Sequence, residues 1–282
     1  MRAQNATGPI AHHAEGPVWW PGWGGLRYVD LSAGDLLTIR DDGVQRLATG
    51  SPVAAFVRPR ASGGYVVAIE RGIALSDHVD EAPDRAIELW GDSGVRANDG
   101  ATDATGRLYV GSMAYDATPG AGALFRIDAE LGRRRVLADV TISNGLAFSP
   151  DGARAYYADT ATGRVDRFDL VDGELAHRRP FVVTEAVDGM PDGLTVAADG
   201  SVWVAYWGAS VVRGFDVDGT QIASIELPAT QVSACTFGGD DLDQLYITTS
   251  RQDLSDHEQP EAGSVFVAEV GVRGVPVVPF AG

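Results

Sequence analysis

Four stretches of this sequence place a carboxylate or amide side chain just ahead of a glycine. They are Glu15 in AEGPVWW, Asn98 with Asp99 in NDGATDA, Asn144 in SNGLAFSP and Asp192 in PDGLTVAAD. Side-chain oxygens of this kind, if brought to one point, suit a hard or borderline divalent cation such as Ca2+, Mg2+ or Mn2+; three oxygen donors do not exclude Zn2+ or Fe2+. Two carboxylates facing each other without a cation would repel, and one would stay protonated. Glu15, Asn144 and Asp192 are therefore the candidate metal ligands. Singly, Asn144-Gly145, Asp192-Gly193 and Asn98-Asp99-Gly100 read as hairpin turns. Together they do not, because the same units carry separate turn dipeptides, Asp151-Gly152 and Asp199-Gly200. Glu15, ahead of two tryptophans, has no turn role.

These residues share a phase in a repeat. A short aromatic-centred strand recurs at Tyr28, Tyr65, Tyr109, Tyr156, Trp203 and Tyr246, at intervals of 37, 44, 47, 47 and 43 residues. Such a period is that of a propeller blade of four antiparallel strands. Stepping back 11 to 13 residues from each aromatic reaches AEGPVWW, VAAFVRP, NDGATDA, SNGLAFSP, PDGLTVAAD and SACTFGG. These read as the innermost strands, whose equivalent positions ring a central channel. The second and sixth are apolar or small there, around Val53, Ala54, Ser233 and Ala234, so four units bring polar oxygens to one axial end. The expected fold is all-β, a six-bladed β-propeller forming a single domain over residues 1–282; a β-sandwich or two small barrels are the alternatives. Only Ala82 to Trp90 carries a weak helical pattern.

Composition narrows the partners. The net charge of −17 argues against nucleic acid and anionic membrane surfaces, and favours a small neutral or cationic molecule. The chain has no lysine, which excludes Schiff-base chemistry and a P-loop. Neither G-x-S-x-G nor HExxH occurs. Cys235 stands alone and reads as a small buried hydrophobe. No apolar run is long enough to span a bilayer, and the first residues lack a signal-peptide core, so a cytoplasmic location is expected. His12 and His13 read as an exposed terminal segment, with a place lining the pocket as the alternative; Trp203, Tyr206 and Trp207 read as blade packing, with Trp207 as a stacking wall for a sugar as the alternative.

AEGPVWW, RANDGATDATGRLYVGSM, TISNGLAFSPDGARAYYADT, MPDGLTVAADGSVWVAYWGASVVRGFD and CTFGGDDLDQLYITTS, in that order, resemble the SMP-30/gluconolactonase/regucalcin-like family from about Glu15 to Arg251. The resemblance implies a six-bladed propeller that hydrolyses sugar lactones with one divalent metal, Ca2+ first among the candidates. It implies metal binding by Glu15, Asn144 and Asp192. It also implies substrate contact by Arg96 and Asn98, with Asn98 as a further direct or water-mediated contact to the ion. An acidic residue after the family's GTM motif touches sugar hydroxyls in some members; here Gly111-Ser112-Met113 leads to Asp116.

Lactone hydrolysis needs an attacking water, a stabilised oxyanion and a proton for the departing alkoxide. Asp192 is the expected general base, using the oxygen not bound to metal. Arg96 would orient ring hydroxyls; its alternative is a surface ion pair with Asp92 or Asp99. Two other functions fit the same pattern: an aryl-ester or organophosphate hydrolase on a related propeller, and a metal-binding regulatory propeller without turnover.

Overall fold

The recurring aromatics set the architecture. In the computed structural model, which describes residues 1–255 and 257–282, each lies in the second strand of a four-stranded antiparallel sheet. These second strands are Gly25–Asp30, Tyr65–Ile69, Leu108–Ala114, Arg154–Asp159, Val202–Trp207 and Gln244–Thr249. Tyr28, Tyr65, Tyr109, Tyr156 and Trp203 are buried between blades, while the half-buried Tyr246 stacks on Trp19 at 5.6 Å. Burying one large apolar side chain contributes about 1.5–3 kcal/mol, so the repeated aromatic supplies much of the inter-blade cohesion.

The innermost strands are Ala14–Trp20, Ala54–Pro59, Val95–Thr102, Ser143–Phe148, Met190–Val196 and Val232–Gly238, and they define blades 1 to 6 in chain order. Each packs against the inner strands of both flanking blades, and the sixth packs against the first. The fold is a closed six-bladed β-propeller. Closure uses the N-terminus: Gln4–Asn5 pairs with Val265–Glu269 and becomes the outermost strand of blade 6.

Beyond the last strand, the C-terminal segment crosses one face of the ring. Gly274 bridges to Ala197 in blade 5, Thr102 in blade 3 donates to the Val278 carbonyl, and the buried Phe280 bridges to Arg60 beside blade 2. The Arg60 guanidinium also donates to the Gly282 carbonyl at 2.8 Å.

The weak helical pattern over Ala82 to Trp90 is not helix: Arg85–Glu88 is the outer strand of blade 2, paired with Gly72–Ser76. Edge pairing overrides a marginal local propensity. Among the described residues no helix is long and apolar enough to cross a membrane.

Candidate metal centre

The dipeptides that singly resemble hairpin turns lie inside inner strands, at irregularities of the ladder. Register slips between Glu15 and Val18, Ala97 and Gly100, Ser143 and Leu146, and Pro191 and Leu194. A β-bulge bends the strand and re-aims the side chain it carries, which accounts for the shared phase of the four polar residues. Glycine follows because the blades crowd at this level. A Cβ at Gly145 would stand 2.6 Å from the Asp192 carbonyl oxygen, and one at Gly193 would stand 2.4 Å from Ala234 Cβ. The true turns are elsewhere, with Gly152 and Gly200 at φ of 67° and 87°.

Glu15, Asn98, Asp99, Asn144 and Asp192 are all buried. Glu15 Oε2 accepts the Gly16 N–H at 2.9 Å, and its Oε1 stands 3.8 Å from His13 Nε2. The Asn144 amide donates through Nδ2 to Thr160 Oγ1 at 2.9 Å, and Thr160 donates to the Pro191 carbonyl at 2.8 Å. That fixes the amide and leaves Asn144 Oδ1 buried without a partner; Asp192 Oδ1 is buried and unpartnered as well. Orphaned buried oxygens are costly, and two in one site call for a ligand.

Electrostatics point the same way. Burial, then the Asp99 charge, pushes Glu15 up to about 8. Burial, then Glu15 and Asp99, holds Asp192 well above the usual carboxylate range. Burial raises Asp99 to about 6 against the opposing charge of Arg58. Arg58 donates to the Val57 carbonyl at 2.7 Å and to the Gly100 carbonyl at 2.5 Å. Three carboxyl groups thus resist ionisation in one channel, and a divalent cation would reverse that. Among the described residues no three His, Cys, Asp or Glu side chains form a ready ligand group. The set that fits an ion is two carboxylates and the amide oxygen of Asn144, an all-oxygen set suited to a hard cation.

Around this cluster, Arg96 donates to the Ala97 carbonyl at 2.9 Å and to Asn98 Oδ1 at 2.7 Å. Neither Asp92 nor Asp99 pairs with it. Asn98 Nδ2 in turn donates to the Ser143 carbonyl at 2.9 Å, so the Asn98 oxygen is committed to Arg96. The Arg96 guanidinium lies 6.0 Å from the centre of the Tyr115 ring, and Tyr115 donates to Glu70 Oε1 at 2.6 Å. Asp116 is exposed, and its Oδ1 accepts from the Thr118 N–H at 3.0 Å and the Thr118 hydroxyl at 2.6 Å.

Of the two readings of His13 the structure excludes the exposed tail, since the residue is buried. The Asp30 carboxylate at the end of the second strand of blade 1 accepts its N–H at 3.0 Å, and His13 Nδ1 meets Ser250 Oγ at 2.9 Å. Burial, then the Arg96 charge, lowers its pKa to about 3. Trp207 lies against its ring, half-buried, with centroids 5.6 Å apart. The signal available in the sequence was parity: His13 is two residues before Glu15 and so shares its strand face. Cys235 is buried as expected, and burial pushes its thiol up.

The sequence profile of the SMP-30/Gluconolactonase/LRE-like region matches residues 13–251, which spans all of these residues. The chain belongs to this family. Among its SMP-30/gluconolactonase relatives, the regucalcin of Sus scrofa is 32% identical over 286 residues, covering 96% of this chain and 95% of that protein. A solved regucalcin of Agrobacterium tumefaciens, described as a calcium-binding protein, superposes with a TM-score of 0.91 at 26% identity, over 98% and 97% of the two chains. A solved gluconolactonase of Xanthomonas campestris gives 0.75 at 25% identity, over 95% and 89%.

Proposed function

We propose that the protein is a metal-dependent hydrolase that opens a sugar lactone, an aldonolactone such as gluconolactone or a pentonolactone, to the aldonic acid. What supports this reading is that Asn144 Oδ1 and Asp192 Oδ1 are buried and unpartnered, and that Asp192 feels the charge of Glu15 while Arg96 feels the charges of both. Membership of the gluconolactonase-like family supports it.

Glu15, Asn144 and Asp192 would hold the ion, Ca2+ first because every donor is oxygen and a relative is described as calcium-binding. When bound, a divalent ion supplies Lewis-acid polarisation of the ester carbonyl and lowers the pKa of water. Asp192 takes the proton of the attacking water as that oxygen bonds to the carbonyl carbon, and the same proton serves the ring oxygen when the acyl C–O bond breaks. Arg96 orients ring hydroxyls, with Asn98 fixing the guanidinium in place. The acidic surface repels the acid product.

The test is acidification on a panel of aldonolactones, using chelated protein reloaded with one cation at a time. Turnover restored by a divalent ion supports the reading. Hydrolysis of phosphotriesters alone, or saturable ion binding with no turnover, would replace it.

A further inference from the structure

We infer that His13 is a substrate-binding residue of this site, presenting Nε2 to a hydroxyl of a polyhydroxylated lactone, with Trp207 as the apolar wall beside it. The inference rests on the lactonase reading above. A histidine that only fills a core has both ring nitrogens satisfied or packed away. His13 has one nitrogen anchored and one uncommitted. Nδ1 is fixed by Ser250 Oγ, whose own position is set by the Gln252 N–H at 3.0 Å. The backbone is held by Asp30 and by a bridge to Ser250. Nε2 makes no hydrogen bond and stands 3.8 Å from Glu15 Oε1; His13 lies one residue ahead of the strand Ala14–Trp20 that carries Glu15.

Arg96 is framed in a similar way. Arg96 is backed by the Tyr115 ring at 6.0 Å, and His13 by the Trp207 ring at 5.6 Å. Each places a side-chain nitrogen able to hydrogen-bond beside the acidic cluster, with an aromatic face next to it. A sugar ring has this complement: hydroxyls at its edge and C–H groups on its face. Trp207 closes the second strand of blade 5 and is bridged to Gln231, so its ring is positioned by the blade rather than by a loop.

The experiment compares kcat/KM for glucono-δ-lactone with that for δ-valerolactone, which has no hydroxyls, in wild type, His13→Ala, His13→Gln and Trp207→Phe. Calcium affinity of each chelated protein is measured by calorimetry alongside, and thermal melts establish folding. In His13→Ala the preference for the hydroxylated lactone falls about threefold to tenfold, through KM, as expected for one lost hydrogen bond. His13→Gln recovers part of it, and calcium affinity stays within about twofold of wild type. An unchanged preference in both His13 variants overturns the assignment while leaving the lactonase reading intact. So does calcium affinity falling in step with KM, which would place His13 at the ion. If His13→Ala does not fold, His13→Gln and Trp207→Phe decide by the same ratio. Wild-type protein that hydrolyses neither lactone overturns the lactonase reading, and this inference with it.

Discussion

Asn144 and Asp192 sit in neighbouring blades and are joined through one hydroxyl: Thr160 accepts from the Asn144 amide and donates to the carbonyl of Pro191, the residue before Asp192. The bridge sets which way the Asn144 oxygen faces. Thr160→Val keeps the shape and removes the hydroxyl, so ion affinity should fall about tenfold or more, in the range of outer-shell substitutions. Calorimetric titration of chelated protein checks this. Affinity equal to wild type would show that the amide needs no such support.

The acidic cluster gives the ion-free protein an unusual pH dependence. Glu15 rises from 4.5 to about 8 and Asp99 from 3.8 to about 6, so the folded state holds protons that the unfolded chain has already released. These groups therefore contribute stability below about pH 4 that is lost as pH rises towards 8. The melting temperature of chelated protein should fall between pH 5 and pH 8, and a bound divalent ion should flatten the trend. Parallel curves for chelated and loaded protein would contradict it.

Asp116 and Arg96 separate by environment. Arg96 is half-buried and feels the charges of Glu15 and Asp192, while Asp116 is exposed and spends its oxygen on Thr118. Arg96→Gln should lower kcat/KM on an aldonolactone at least tenfold, and Asp116→Ala less than threefold, reflecting loss of a charged hydrogen bond in one case only. Steady-state kinetics on both variants decide it.

Phe280 tests the C-terminal strap. Its ring is fully buried beside Arg60, far along the chain from the blades it joins. Phe280→Ala should cost about 3–5 kcal/mol, read from denaturant unfolding. A loss under about 1 kcal/mol would mean that the strap is peripheral to the ring's stability.

The ring was legible from residues alone because the aromatic of each second strand recurs at blade spacing, and five of the six are buried between blades. The cluster was legible because Glu15, Asn144 and Asp192 occupy one phase of that repeat. Their neighbours were harder to read. Asn144-Gly145 is chemically the same dipeptide in a bulge as in a hairpin, so only its phase distinguishes the two. His13 resembled a polar tail because its burial depends on Asp30 and Ser250, the latter 237 positions away. Thr160, Arg58 and the two-residue closing strand Gln4–Asn5 carry no local pattern; each acquires its role from a partner in another stretch of chain.

The central claim is that Glu15, Asn144 and Asp192 share one divalent ion. Anomalous diffraction from crystals soaked in Mn2+ tests it most directly. The account predicts a single strong peak within about 2.0–2.6 Å of Glu15 Oε1, Asn144 Oδ1 and Asp192 Oδ1, abolished in Asp192→Ala. An ion bound elsewhere, or a peak that survives this substitution, would contradict it.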